Sequence, residues 1–149
     1  MPEDVEAMLQ RDQDQWRALV AILDAAGNAV VHEPPAPPWN ARDVYAHLAR
    51  WIAHSTDAFE AHRDGRDPPP DQPGTDDEIN ARWRAEDASL SLAQARDRAH
   101  AAYERRLSAI RSAANVVWGN ALRATAHADG YRHYEAHRRY IESAGSEGG

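Results

Sequence analysis

Apolar residues recur along this chain with a period near 3.6, which predicts helices. Val5, Leu9, Trp16, Leu19 and Leu23 fall on one stripe of a first helix over residues 3–26, and Gly27-Asn28 makes a suitable stop. The prolines of residues 33–38 then forbid helix and favour an extended path. A second helix starts at Asn40 as N-cap, with Asp43 three residues on and Trp39 ahead as a hydrophobic staple. Its inner stripe is Val44, Leu48, Trp51, Ser55 and Phe59, and it fades near Arg63. Residues 64–74 are charged and proline-rich, which reads as an exposed loop. The third helical region opens at Thr75, with Asp76, Asp77 and Glu78 where the helix dipole favours acids, and carries Ile79 and Trp83. The Ser89–Ser91 step breaks it. Ser91 with Gln94 forms a second capping box, and the pattern resumes through Leu92, Ala95, Ala99, Tyr103, Leu107 and Ile110 to about residue 113. A last helix is predicted over residues 122–143, with Gly130 as a weak point, and residues 144–149 read as a loose tail. The strand-like stretches, Ala29-Val30-Val31 and Val116-Val117-Trp118, are too short for a sheet. The expectation is an all-α domain over residues 1–143, most simply an antiparallel four-helix bundle.

A chain of 149 residues suits one domain and can bury a core without covalent staples. It has no cysteine, which excludes disulfides, zinc–thiolate sites, iron–sulfur clusters and a cysteine nucleophile. All seventeen basic residues are arginine, so a lysine Schiff base is also excluded. Many Ala, Arg and Asp beside no Lys fit a GC-rich bacterial genome. A net charge of −7 disfavours phosphate backbones, and nucleic acid is not an expected partner. No apolar run approaches a membrane span, and the acidic N-terminus lacks the apolar stretch of a signal peptide. A cytoplasmic protein is expected, with a homodimer left open.

The local pattern with most chemistry is His133-Tyr134-Glu135-Ala136-His137. Two histidines four apart share a helical face, and their neutral imidazoles suit Zn, Ni, Fe or Cu. Such pairs also occur by chance on solvated helices. Glu135 does not complete a zinc-protease motif, which needs His-Glu-x-x-His. A third ligand has to come from another helix. His47, beside the inner stripe of the second helix, competes with His54, seven residues on, and a hydrogen-bonded structural histidine is an equal reading. His32 falls in the proline-rich connector, while His62, His100 and His127 read as helix-surface residues. Trp51, Trp83, Tyr134 and Tyr140 are aromatic at helical spacing, which usually means core and otherwise the wall of a pocket for a flat molecule. Asn80 stands out as a polar residue near the start of the third region. Asp12, on an otherwise apolar stripe, is a candidate acceptor behind the histidines, or a partly exposed carboxylate at a helix edge.

The segment Trp39-Asn40-Ala41-Arg42-Asp43-Val44-Tyr45-Ala46-His47-Leu48-Ala49-Arg50-Trp51 resembles the second-helix signature of the DinB/YfiT-like superfamily. Ile79-Asn80-Ala81-Arg82-Trp83 and the His-Tyr-x-x-His segment extend the resemblance over nearly the whole chain, closest to the ClbS/DfsB-like branch. The resemblance implies a four-helix bundle holding one divalent metal (Zn, Ni or Fe) through His47, His133 and His137. It implies a metal-dependent enzyme acting on a small electrophilic molecule by thiol transfer or hydrolysis, for detoxification or self-resistance. Trp51, Asn80, Trp83 and Tyr134 would line the substrate site. The chain ends after the last helix, without the additional domain of the thiol-dependent isomerases in this superfamily, which puts that reaction in doubt. Three histidines leave coordination positions open, where water can be acidified or an external low-molecular-weight thiol held as thiolate. The alternative is a non-catalytic bundle that binds or sequesters a small molecule.

Overall fold

The computed structural model describes residues 4–31, 38–114 and 117–147, with side chains as far as residue 143. The Pro-rich connector apart from Pro38, together with Val116, His32 and the last two residues, lies outside the described residues. The described residues form six helices: α1 (Val5–Ala26), α2 (Ala41–Arg63), α3 (Asp76–Glu86), α4 (Leu92–Ser112), α5 (Asn120–Ala128) and α6 (Tyr131–Glu147). The all-helical class read from the sequence is therefore observed.

The predicted starts are found where local chemistry placed them. Asn40, Thr75 and Ser91 each cap a helix and are each answered by the side chain three residues on, Asp43, Glu78 and Gln94. Each box satisfies backbone donors that a helix start leaves open. Asp4 caps α1 by accepting from the Ala7 amide at 3.1 Å, and Gly27 ends that helix at a φ of 58°, a conformation that glycine adopts without strain. Near the α1–α2 connection, Val31 N–H donates to the Trp39 carbonyl at 2.8 Å, and a single bridge joins Val30 to Asn40.

Two expectations fail at the C-terminal end. The segment predicted as one helix over 122–143 is two, α5 and α6, broken at Asp129–Gly130. A helical backbone also continues to Glu147, so residues 144–147 are not a loose tail. Glycine at the break has a steric reason. A Cβ on Gly130 would lie 2.2 Å from Arg106 Nη2 and 2.5 Å from Asp12 Oδ1. Only glycine lets the chain pass so close to this buried ion pair.

The core lies mainly between α2 and α4 and between α1 and α6, with α5 packed on α2 and α6 and α3 on α2. It divides into two clusters. One gathers Trp16, Leu19, Leu23, Val44, Leu48 and Ile52 with Tyr103 and Tyr134; the other gathers Val5, Leu9, Phe59, Ile110, Trp118 and Tyr131. Asp12 and Arg106 fall between them, each wholly buried. Arg106 donates to Asp12 Oδ2 from Nη2 at 2.8 Å and from Nε at 3.2 Å, and to the Ala126 carbonyl at 2.9 Å. Asp12 Oδ1 accepts from the Tyr131 amide at 2.8 Å, which caps α6. A buried charge survives only when paired and hydrogen-bonded, and this pair joins α1, α4, α5 and α6 at one point. Asp12 is thus neither a partner of the histidines nor a partly exposed carboxylate. No helix among the described residues is long and apolar enough to cross a membrane.

Candidate metal centre

His47 sits in the second turn of α2, which the Asn40–Asp43 capping box fixes at its start. His133 and His137 lie on successive turns of α6, whose first amide is held by Asp12. The three imidazoles converge: one ring nitrogen from each lies within 4.8 Å of the others. His133 Nε2 is 3.2 Å from His47 Nε2 and 3.0 Å from His137 Nε2. All three residues are half-buried. His54, the rival third ligand, is not in the group; it packs edge-on against Trp51 instead.

These separations test the fit of a cation. With metal–nitrogen bonds of about 2.0–2.1 Å, neighbouring donors stand about 2.9 Å apart in an octahedron and about 3.3 Å apart in a tetrahedron. The observed 3.0 and 3.2 Å fall between the two. Hydrogen bonding alone serves the cluster poorly. An imidazole nitrogen carries either one proton or one lone pair, and His133 Nε2 faces two other nitrogens at once. A cation accepts all three lone pairs together. The donor set is neutral nitrogen, which suits Zn, Ni or Fe, so the cluster can hold a metal ion of this kind.

The electrostatics keep His133 in the state a metal needs. Burial pushes its pKa down from 6.5 to about 4, and the Arg106 guanidinium adds to the shift. The ring is therefore neutral at pH 7. Its Nδ1 is buried and has no hydrogen-bond partner among the described residues. The ring of Trp39 packs 5.0 Å from that of His47.

A hollow of about 10 Å³, room for no more than a water, lies beside His47 and is walled by Trp39, Asn80 and Trp83. Its rim is ionic. Arg42 donates to Asp43 at 2.6 Å and to the Asp87 and Leu90 carbonyls at 2.8 and 3.2 Å, so it clamps the α3–α4 turn onto the start of α2. Asp87 is itself buried and accepts two bonds from Arg50. Of the residues expected to line a substrate site, Asn80 and Trp83 face this hollow. Trp51 donates its indole N–H to Asn80 Oδ1 at 2.7 Å and packs on Trp83. Tyr134 is fully buried against Trp16 and Tyr103 and lines neither this hollow nor the larger cleft described next. Tyr140, the remaining aromatic, is half-buried on α6.

The larger cleft, about 470 Å³, opens between α2, α5 and residues 66–71. Trp51, His54 and Asp129 line it. Three histidines read as surface residues have definite partners. His100 packs on Trp16 and Tyr45, and burial lowers its pKa; His62 Nε2 bonds the Val117 carbonyl at 2.8 Å; His127 Nδ1 bonds the Tyr131 hydroxyl at 2.6 Å. Neither the cleft nor the Asp12–Arg106 pair was foreseen, and Asp12 on an apolar stripe was the one sequence signal for the pair. Set beside family models, curated proteins and solved structures, the chain matches none of them.

Proposed function

We propose that the protein is a divalent-metal-dependent enzyme that transfers an external low-molecular-weight thiol to a small electrophile, or hydrolyses it. The setting would be a four-helix bundle of the DinB/YfiT-like kind, as the sequence resemblance implies. The observation that carries the reading is the convergence of His47, His133 and His137 from two distant stretches of chain. A bound cation would supply Lewis acidity, acidifying water or a thiol. Three protein ligands, rather than four, leave room for that. The chain has no cysteine, so a thiol comes from outside.

The remaining roles fall to the chain's own groups. His47, His133 and His137 would hold the ion; burial keeps the His133 imidazole neutral, with one ring nitrogen unprotonated for that task. Trp39 packs against the His47 ring and limits its swing. Trp51 orients the Asn80 amide by donating its indole N–H to Oδ1, which leaves the amide NH2 of Asn80 to bond a substrate oxygen. Trp83 supplies the apolar wall beside it.

Metal analysis of untagged, full-length protein tests this reading. About one equivalent of Zn, Ni or Fe, lost in His137→Ala, is the expected result. A metal-free protein that takes up no added Zn, Ni or Fe at neutral pH overturns it. The cleft favours a second reading, a non-catalytic protein that binds a small molecule. In that case ligand binding persists in chelator and no thiol adduct or hydrolysis product forms.

A further inference from the structure

Apart from Trp51, the cleft between α2, α5 and residues 66–71 is built from groups that have no part in the metal centre or its substrate side. One wall is the face of α2 that carries Trp51, His54 and Ala58; the other is the α5 side, with Leu122, Thr125 and Asp129. Pro68 and Pro69 close the mouth with rigid apolar surface. Asp129 is the unusual member. It is half-buried, and its carboxylate takes no hydrogen bond and forms no ion pair with any described residue. Its pKa is raised, chiefly by burial. The Arg106 guanidinium and the His54 imidazole offset part of that shift through space, and neither makes a hydrogen bond to the carboxylate. Arg66 is engaged by Asp64 at 3.4 Å, and His62 is bonded to the Val117 carbonyl. A second carboxylate, Asp71, lines the same cleft, and the Ser55 hydroxyl spends its proton on the Ile52 carbonyl, which leaves its oxygen as an acceptor.

The cleft is therefore rich in unused acceptors, holds an indole and two prolines for a flat body, and has volume for a molecule of ten or more heavy atoms. We propose that it binds a small organic amine, whose protonated nitrogen pairs with Asp129 while its apolar body lies against Trp51, Leu122 and the two prolines. Such a ligand gives the carboxylate a direct, hydrogen-bonded charge partner in place of the through-space attraction of Arg106 and His54. His54 stands seven residues after His47 on α2, two turns or about 10 Å along the helix, so this is a separate site from the metal centre. The proposal does not rest on the metal reading.

The test uses full-length protein in chelator and three probes with one body and different heads: 2-phenylethylamine, 2-phenylethanol and 3-phenylpropionate. Calorimetry reads affinity, and the Trp51 indole N–H resonance reports the place. The amine is expected to bind about tenfold or more tighter than the alcohol, with the carboxylate weakest. Asp129→Asn should erase the preference for the amine while keeping the fold. Ala58→Trp, which fills the cleft without changing charge, should remove binding of all three, and His47→Ala should leave it unchanged. Equal binding of amine and carboxylate, no saturable binding of the amine at millimolar concentration, or an amine preference that survives Asp129→Asn overturns the proposal. Loss of metal in a separate assay would not affect it.

Discussion

Asp12 and Arg106 place full charges where the two apolar clusters meet, with both side chains wholly buried. Removing one partner strands the other charge in a medium that cannot solvate it. Asp12→Ala is expected to destabilise the fold by about 3–5 kcal/mol, measured as a shift in the urea midpoint. The same change frees the Tyr131 amide that Asp12 caps, so metal uptake by His133 and His137 should fall with it. Gly130 belongs to the same point. Gly130→Ala forces a methyl against the guanidinium and the carboxylate, and a loss of about 2 kcal/mol or more is expected in the same assay. Little of this was legible in the sequence. A mid-stripe aspartate announces a buried partner without naming it, because Arg106 lies 94 residues away and only packing brings the two together.

At the scale of elements, local chemistry sets most boundaries. The caps at Asn40 and Ser91 were read because each is completed within four residues and needs no tertiary help, while at Thr75 the reading stopped at the acidic first turn and missed the Thr75–Glu78 box. Asn40→Ala should cost about 1 kcal/mol and loosen the start of α2, seen as faster amide exchange from Ala41 to Val44. The split between α5 and α6 escaped the reading for the opposite reason. Glycine inside a helix is tolerated by local rules, and the break lies where Arg106 of α4 takes the Ala126 carbonyl and Asp12 of α1 takes the Tyr131 amide. The split aims α6 as a separate rod, capped by Asp12, with His133 and His137 on successive turns.

For the whole molecule, the pH response follows from histidines held neutral. His133 titrates near 4 in the fold and near 6.5 when unfolded, and His100 is shifted in the same direction by burial. Between those values the unfolded chain binds more protons, so stability rises with pH across that window. In chelator, the urea midpoint should fall steadily as pH drops from 6.5 toward 4 and change little from this source above 7. With Zn present the fall should begin at higher pH and be steeper, because protons and metal compete for the same nitrogens and a bound ligand adds its own stabilisation. His137→Ala should remove the difference between the two curves.

The four helical segments of the reading are six helices, the third divided at its expected Ser89–Ser91 step and the last at Gly130, whereas the all-α class, the caps and the histidine pair four residues apart were set by the chain itself. These depend on neighbours within one or two turns, and a periodic or capping pattern carries that information in full. Which third histidine joins the pair was left open by spacing, since His47 and His54 differ by two turns and share a face. Tertiary packing decided it by fixing how far along α2 the start of α6 lies. The same long-range placement buried Tyr134, joined Asp12 to Arg106 and left Asp129 facing an open cleft. Contacts between residues far apart in sequence are set by how whole helices pack, and no local pattern specifies that.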